Sequence, residues 1–299
     1  MLSVLGCTLY PDVISGGLCV DSRIKQTKFV TVMNIYNRSE SADYRFFARL
    51  PDGRALLSCH ARNVVVIVNG NGDEVGKLED GQIKKPEGIA VNSKGHVFVV
   101  DRHNHCIRVF DEKLVQQRGI VTDFQPVGRM NQPVGIAIST IDDSIYVADN
   151  ENHRVLVFTA AGEYRSTLGD NYGSAPGKFF CPCGVALYVH PVYGEMVIVS
   201  EWGGGRVQVF KADGSLFALY GGVEHAHHVV VDADGIIYVS EYSARKIRKF
   251  SLTGDILGGG EWTSSAVSLV AGKSGVDAVV TPIQVVLVLG ECKKRRVSE

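Results

Sequence analysis

One pattern returns along this chain: a short β-rich run, an acid, and a phenylalanine nine residues after it. It reads VFVVDRHNHCIRVF (97–110), SIYVADNENHRVLVF (144–158), VIVSEWGGGRVQVF (197–210) and IYVSEYSARKIRKF (237–250). The acids are Asp101, Asp149, Glu201 and Glu241, and the aromatics are Phe110, Phe158, Phe210 and Phe250. A weaker copy, ALLSCHARNVVVIV (55–68), has Cys59 in place of the acid and Val68 in place of the aromatic. A lone Asp/His/Arg cluster would be a candidate active site, whereas a cluster that recurs is first of all architecture.

More of the unit recurs. A turn glycine precedes the acid in three copies (Gly53, Gly95 and Gly235), and a second turn follows the aromatic at Gly162, Gly214 or Gly254. Apolar runs stand upstream as GIAV (88–91), GIAI (135–138), GVAL (184–187) and HVVV (228–231), three of them just after Pro86, Pro133 or Pro182. Each unit reads strand, turn, strand, loop, strand, turn, strand, without helical periodicity. A period of roughly 40–50 residues with four short strands is the mark of a propeller blade, and blades closed into a ring leave few exposed edges. The fold class is therefore all-β: a β-propeller of four-stranded antiparallel blades. Its 299 residues and 45% hydrophobic content supply an ample core.

The segment NHRV (152–155), preceded by YVAD and QPVGIAI, resembles the NHL repeat. That resemblance implies six blades in a single propeller over residues 1–290. Clear repeats cover about 43–260, and a terminal blade would come from 1–42, 261–290 or both. Asp21 stands at the acid position of a worn copy in 14–29, and 291–299 form a basic tail.

Sorting loops by strand order divides the charges between two faces. The strand 1–2 and 3–4 turns are acid-rich, with Asp52, Asp142, Glu195, Asp213 and Asp232 among their acids against Lys94, Lys113 and Lys211. Good turn chemistry accounts for much of that. The other face, made by the strand 2–3 loops and the crossings between blades, mixes charges with aromatics. Its candidate binding residues are Lys84, Lys85, Arg102, His103, His105, Arg154, Trp202, Arg206, Tyr242 and Arg245. Arginine beside aromatic side chains suits a protein interface and also single-stranded RNA. Asp149 with Arg154 and Glu201 with Arg206 have a plainer role open to them, as pairs within or between blades.

The family resemblance implies the same two uses, since NHL propellers of the tripartite-motif ubiquitin-ligase family recruit proteins or bind RNA through this face. The preferred function is a non-catalytic binding or scaffold module for a protein partner, ubiquitin-ligase-associated by analogy, with no cofactor. RNA binding through the basic patch is the alternative. A metal-dependent propeller lyase or hydrolase is the third reading. In the related lyase that processes amidated peptides, a histidine from each of three blades holds zinc at the start of the innermost strand. The matching positions here are Arg45, Glu87, Val134, Cys183 and His227, so a zinc site would use Glu87, Cys183 and His227. The formal charge of -1 gives no long-range pull on nucleic acid or membrane. An odd count of 7 cysteines and no signal-peptide pattern lead us to expect an intracellular, cytoplasmic protein without membrane contact.

Overall fold

A computed structural model describes residues 44–70, 72–78, 81–120, 127–169, 172–244 and 246–258, with the backbone alone of 259–261 and of three further strands. Blade 1 is β1 (Tyr44–Arg49), β2 (Ala55–Cys59), β3 (Val64–Val68) and β4 (Glu74–Leu78). Blade 2 is β5 (Pro86–Val91), β6 (Val97–Asp101) and β7 (Cys106–Phe110), edged by antiparallel bridges from Gln116 to Phe110 and from Ile120 to Ile107. Blade 3 is β8 (Pro133–Ile138), β9 (Ile145–Asp149), β10 (Arg154–Phe158) and β11 (Tyr164–Leu168). Blade 4 is β12 (Pro182–His190), β13 (Gly194–Glu201), β14 (Arg206–Lys211) and β15 (Leu216–Gly221). Blade 5 is β16 (Ala226–Val231), β17 (Ile237–Glu241), β18 (Lys246–Phe250) and β19 (Ile256–Glu261). Every pairing inside these sheets is antiparallel.

The aromatic that ends each repeat is the last residue of the third strand in blades 2, 3 and 5 and the last but one in blade 4. Phe110, Phe158, Phe210 and Phe250 are each about 1% exposed. Burying one such ring contributes about 1.5–3 kcal/mol, so the repeated phenylalanine is a packing requirement. The core lies between blades: Tyr146, Val155 and Val157 of blade 3 pack with Val185, Val197, Val199 and Phe210 of blade 4. Phe98 and Ile107 of blade 2 meet Ile145, Val147 and Phe158 of blade 3 in the same way.

The first strands, β1, β5, β8, β12 and β16, stand side by side around the axis. Their close approach explains the glycine of the apolar runs. A Cβ on Gly88 would lie 2.6 Å from the Val134 carbonyl oxygen, and one on Gly135 would collide with the carbonyl oxygen of Cys183. On Gly184 it would lie 2.7 Å from Ser200 Oγ and 2.8 Å from the Val229 nitrogen. Backbone faces backbone here, so a side chain has nowhere to go.

The blade number differs from the sequence expectation: the described residues form five blades, not six. Beyond β19 the acid–phenylalanine pattern stops. The sheet that follows has three strands, β20 (Ser268–Gly272), β21 (Gly275–Val280) and β22 (Val285–Leu287). Its strand β20 neighbours both β16 and β1. The proposed worn copy at 14–29, with Asp21, and the basic tail 291–299 lie outside the described residues. Among the described residues no helix is long and apolar enough to cross a membrane.

Candidate functional site

The four repeat acids are fully buried, at 0% exposure, and each performs the same task. Each accepts a backbone N–H from the segment entering its own blade: Lys84 to Asp101 at 2.8 Å, Asn131 to Asp149 at 2.6 Å, Phe180 to Glu201 at 2.8 Å and Glu224 to Glu241 at 2.9 Å. Each also receives an arginine Nε from the third strand: Arg108 at 2.8 Å, Arg154 at 2.7 Å, Arg206 at 2.7 Å and Arg248 at 2.9 Å. Asn104 and Asn152 add an amide N–H to Asp101 and Asp149, at 2.7 and 2.9 Å. A buried charge needs this many partners to be tolerated.

His105 and His153, which follow those asparagines, adopt the left-handed conformation at φ 57 and 54. Their Nδ1 atoms accept the N–H of Gln132 and of Cys181, both at 3.1 Å, and so tie each blade to the next. Asn63 does the same for Lys85 in blade 1, at 2.9 Å. Lys85, Gln132 and Cys181 are themselves at positive φ, between 52 and 54. That non-glycine strain recurs from blade to blade, so it belongs to the ring rather than to one site.

What does not recur gathers at the axis. Arg45, Glu87, Val134, Cys183 and His227 are the second residues of the five inner strands. Glu87 is fully buried. Its Oε1 is 3.2 Å from Arg102 Nη1 and 3.6 Å from His60 Nε2, and its Oε2 has no hydrogen-bond partner among the described residues. Burial pushes the Glu87 carboxyl above its usual range, opposed by the charges of Arg45, Arg102 and His60. Arg102 is held on its other side by Gln132 Oε1 at 2.9 Å. At the same level of the inner strands, where His227 matches Glu87, four rings gather: between ring centroids Trp202 lies 4.8 Å from His225, 5.7 Å from His227 and 5.4 Å from Tyr242, with His227 to Tyr242 at 5.9 Å. A second ring cluster joins His153, Tyr172 and Phe180, with Tyr172 61% exposed.

The zinc set Glu87, Cys183 and His227 does not fit this geometry. Among the described residues no three His, Cys, Asp or Glu side chains are grouped as a metal would need. Glu87 already faces two arginines, and burial raises the Cys183 thiol, with Glu87 adding to it, which disfavours the thiolate a metal requires.

The model for the NHL repeat matches residues 84–110 and 130–158, the two copies in which asparagine and histidine make the contacts just described. The chain carries NHL repeats. Among its relatives, protein brain tumor of Drosophila melanogaster is 26% identical over 132 residues, 44% of this chain and 12% of that protein. A probable peptidyl-α-hydroxyglycine α-amidating lyase of Caenorhabditis elegans is 30% identical over 183 residues, 56% of this chain and 49% of that protein. This chain therefore spans half or less of the length of these relatives. A gluconolactonase from Xanthomonas campestris shares the fold, with a TM-score of 0.65 at 15% identity, over 82% of this chain and 86% of that one.

The NHL propeller distributes the candidate binding residues unevenly. Lys84 and His103 are exposed, and Arg102, Trp202 and Tyr242 are half-buried around the mouth. Lys85 is half-buried beside them, with its backbone committed to Asn63. Arg154 and Arg206 are instead held inward. Arg154 also donates to the Val127 carbonyl at 2.6 Å, and Arg206, 7% exposed, donates to the carbonyls of Ser174 and Lys178 as well as to Glu201. His105 spends its Nδ1 on the next blade, and Arg245 lies outside the described residues. Sequence reading missed His60, which sits beside Cys59 in the degenerate copy, where the lost acid hides the loop's alignment.

Proposed function

We propose that the NHL propeller is a binding module whose partner is a protein segment seated on the axial mouth. The observation that carries this is the ring cluster of Trp202, His225, His227 and Tyr242 at the level of the inner strands that also holds the Glu87–Arg102 pair. Aromatic rings packed side by side next to an arginine are the composition of an interface hot spot. Arg45, Arg102 and His60 around one carboxylate favour a partner bearing an acidic side chain. Displayed random peptides provide the test. Enrichment of peptides that pair an acid with an apolar or aromatic residue supports the reading, and no enrichment above a denatured control opposes it.

RNA is the second reading, favoured by one observation. His103 has its pKa lowered by burial and then by the positive charges of Arg102, His60, Lys85 and His105. Cations are thus concentrated there, beside rings on which bases could stack. Binding to a single-stranded RNA pool that collapses as salt rises, and weakens in Lys84→Ala, would favour it over the peptide.

A further inference from the structure

The opposite face holds a cleft of about 340 Å³ between blades 3 and 4. Its size is that of a small-ligand site. Val157, Leu168 and Val197 give it apolar walls, and Glu195 lines it. Glu195 is 8% exposed, and its partners are two neutral hydroxyls: Ser139 Oγ donates to Oε1 at 2.5 Å and Tyr146 Oη donates to Oε2 at 3.1 Å. The two cations on the rim are engaged elsewhere. Arg165 pairs with Asp142 at 3.0 Å and donates to Ser144 Oγ at 2.9 Å, while Lys211 Nζ lies over the Tyr193 ring, 5.4 Å from its centroid. Among the described residues no basic group stands within ion-pair distance of Glu195. Buried carboxylates are ordinarily paired with a cation. This one opens instead onto a cavity with mixed polar and apolar walls.

We propose that the cleft between blades 3 and 4 binds a primary alkylammonium, with the charged head on Glu195 and the methylene stem along Val157, Leu168 and Val197. An ammonium is a compact point charge with rotatable donors, so it can use a carboxylate lone pair that the two hydroxyls leave open. Asp213 also lines the cleft and offers a second carboxylate to a diamine. The same chemistry is offered by a free linear diamine and by a lysine side chain of a peptide. The proposal concerns the face opposite the axial mouth and stands independently of the function assigned there.

The test is calorimetric titration of the whole chain with 1,5-diaminopentane, with a capped Gly-Lys-Gly peptide, and with 1,5-pentanediol as an uncharged control of equal length. Saturable one-site binding of the diamine, with none of the diol, is expected for a free-amine site. Saturation by the lysine peptide without the diamine would assign the same head-group contact to a protein-borne lysine. Glu195→Gln should weaken whichever ligand binds by at least tenfold. Should that variant fail to fold, the wild-type contrast between amine and diol still decides. Equal binding of diol and diamine, no saturation by either amine at millimolar concentration, or unchanged affinity in a folded Glu195→Gln variant would each overturn the proposal.

Discussion

Asp149 uses both carboxylate oxygens: Oδ1 takes the Asn131 N–H, and Oδ2 takes Asn152 and Arg154. Removing it strands an arginine, an amide and a backbone N–H in a buried place. Asp149→Ala should therefore cost about 3–5 kcal/mol, the usual penalty for breaking a buried pair from one side, measurable by urea denaturation. Two groups on the inner strands, the fully buried Glu87 and the half-buried His228, make stability depend on pH with opposite signs. His228 is pushed down to about 3 by burial and by His227. Unfolded chains take up that proton below about 6.5, so this contribution is complete above that pH and is lost as pH falls toward 3. Glu87 is raised, so its contribution is largest below the ordinary glutamate value of 4.5 and is lost as pH rises through its elevated pKa. Melting temperatures across pH 4 to 8 should show His228→Gln with a shallower acid loss and Glu87→Gln with a smaller decline as pH rises. At this scale the sequence revealed identity without role. The pairs of Asp149 with Arg154 and of Glu201 with Arg206 were legible because acid and arginine face each other across one hairpin. The inward duty of His105 was not, because its partner Gln132 belongs to the next blade.

At the scale of the strand, the apolar runs owe their glycine to the neighbouring inner strand. Gly135→Ala places a methyl against the Cys183 carbonyl and the Gly184 and Val185 backbone, with no flexible side chain to yield. Overpacking of this kind should cost about 1–3 kcal/mol, seen as a lower urea midpoint at unchanged slope. Blade 5 has His228 at the corresponding position, and its ring centroid lies 4.7 Å from that of Phe46 in blade 1. Strand order, turn positions and the buried phenylalanines were legible, because period and turn chemistry act locally. The fourth edge of blade 2 was less so, since bridges at Gln116 and Ile120 carry no alternating pattern. The acid-rich face is also more balanced than turn residues alone suggest: Arg54 pairs with Asp52 at 2.6 Å and Arg165 with Asp142, both from strand ends or edges.

Across the whole molecule, repeated residues build the ring and unrepeated ones carry its individuality. Repeat recognition shows fold well and function poorly, because one scaffold supports many uses. The axial mouth could be outlined from inner-strand positions, yet the contact of Trp202 with His225 and Tyr242 depends on how blades 4 and 5 meet. The repeat marks out five blades even where Cys59 and Val68 replace its acid and phenylalanine in blade 1, and it is lost beyond β19. Under the proposed function the mouth, not the repeated acids, provides the binding surface. The most direct measurement is the equilibrium affinity of a display-selected peptide for the wild type and for Trp202→Ala, at matched melting temperature. A loss of at least tenfold, about 1.4 kcal/mol, is expected for an aromatic anchor. Unchanged affinity in a variant that is as stable as the wild type would contradict it.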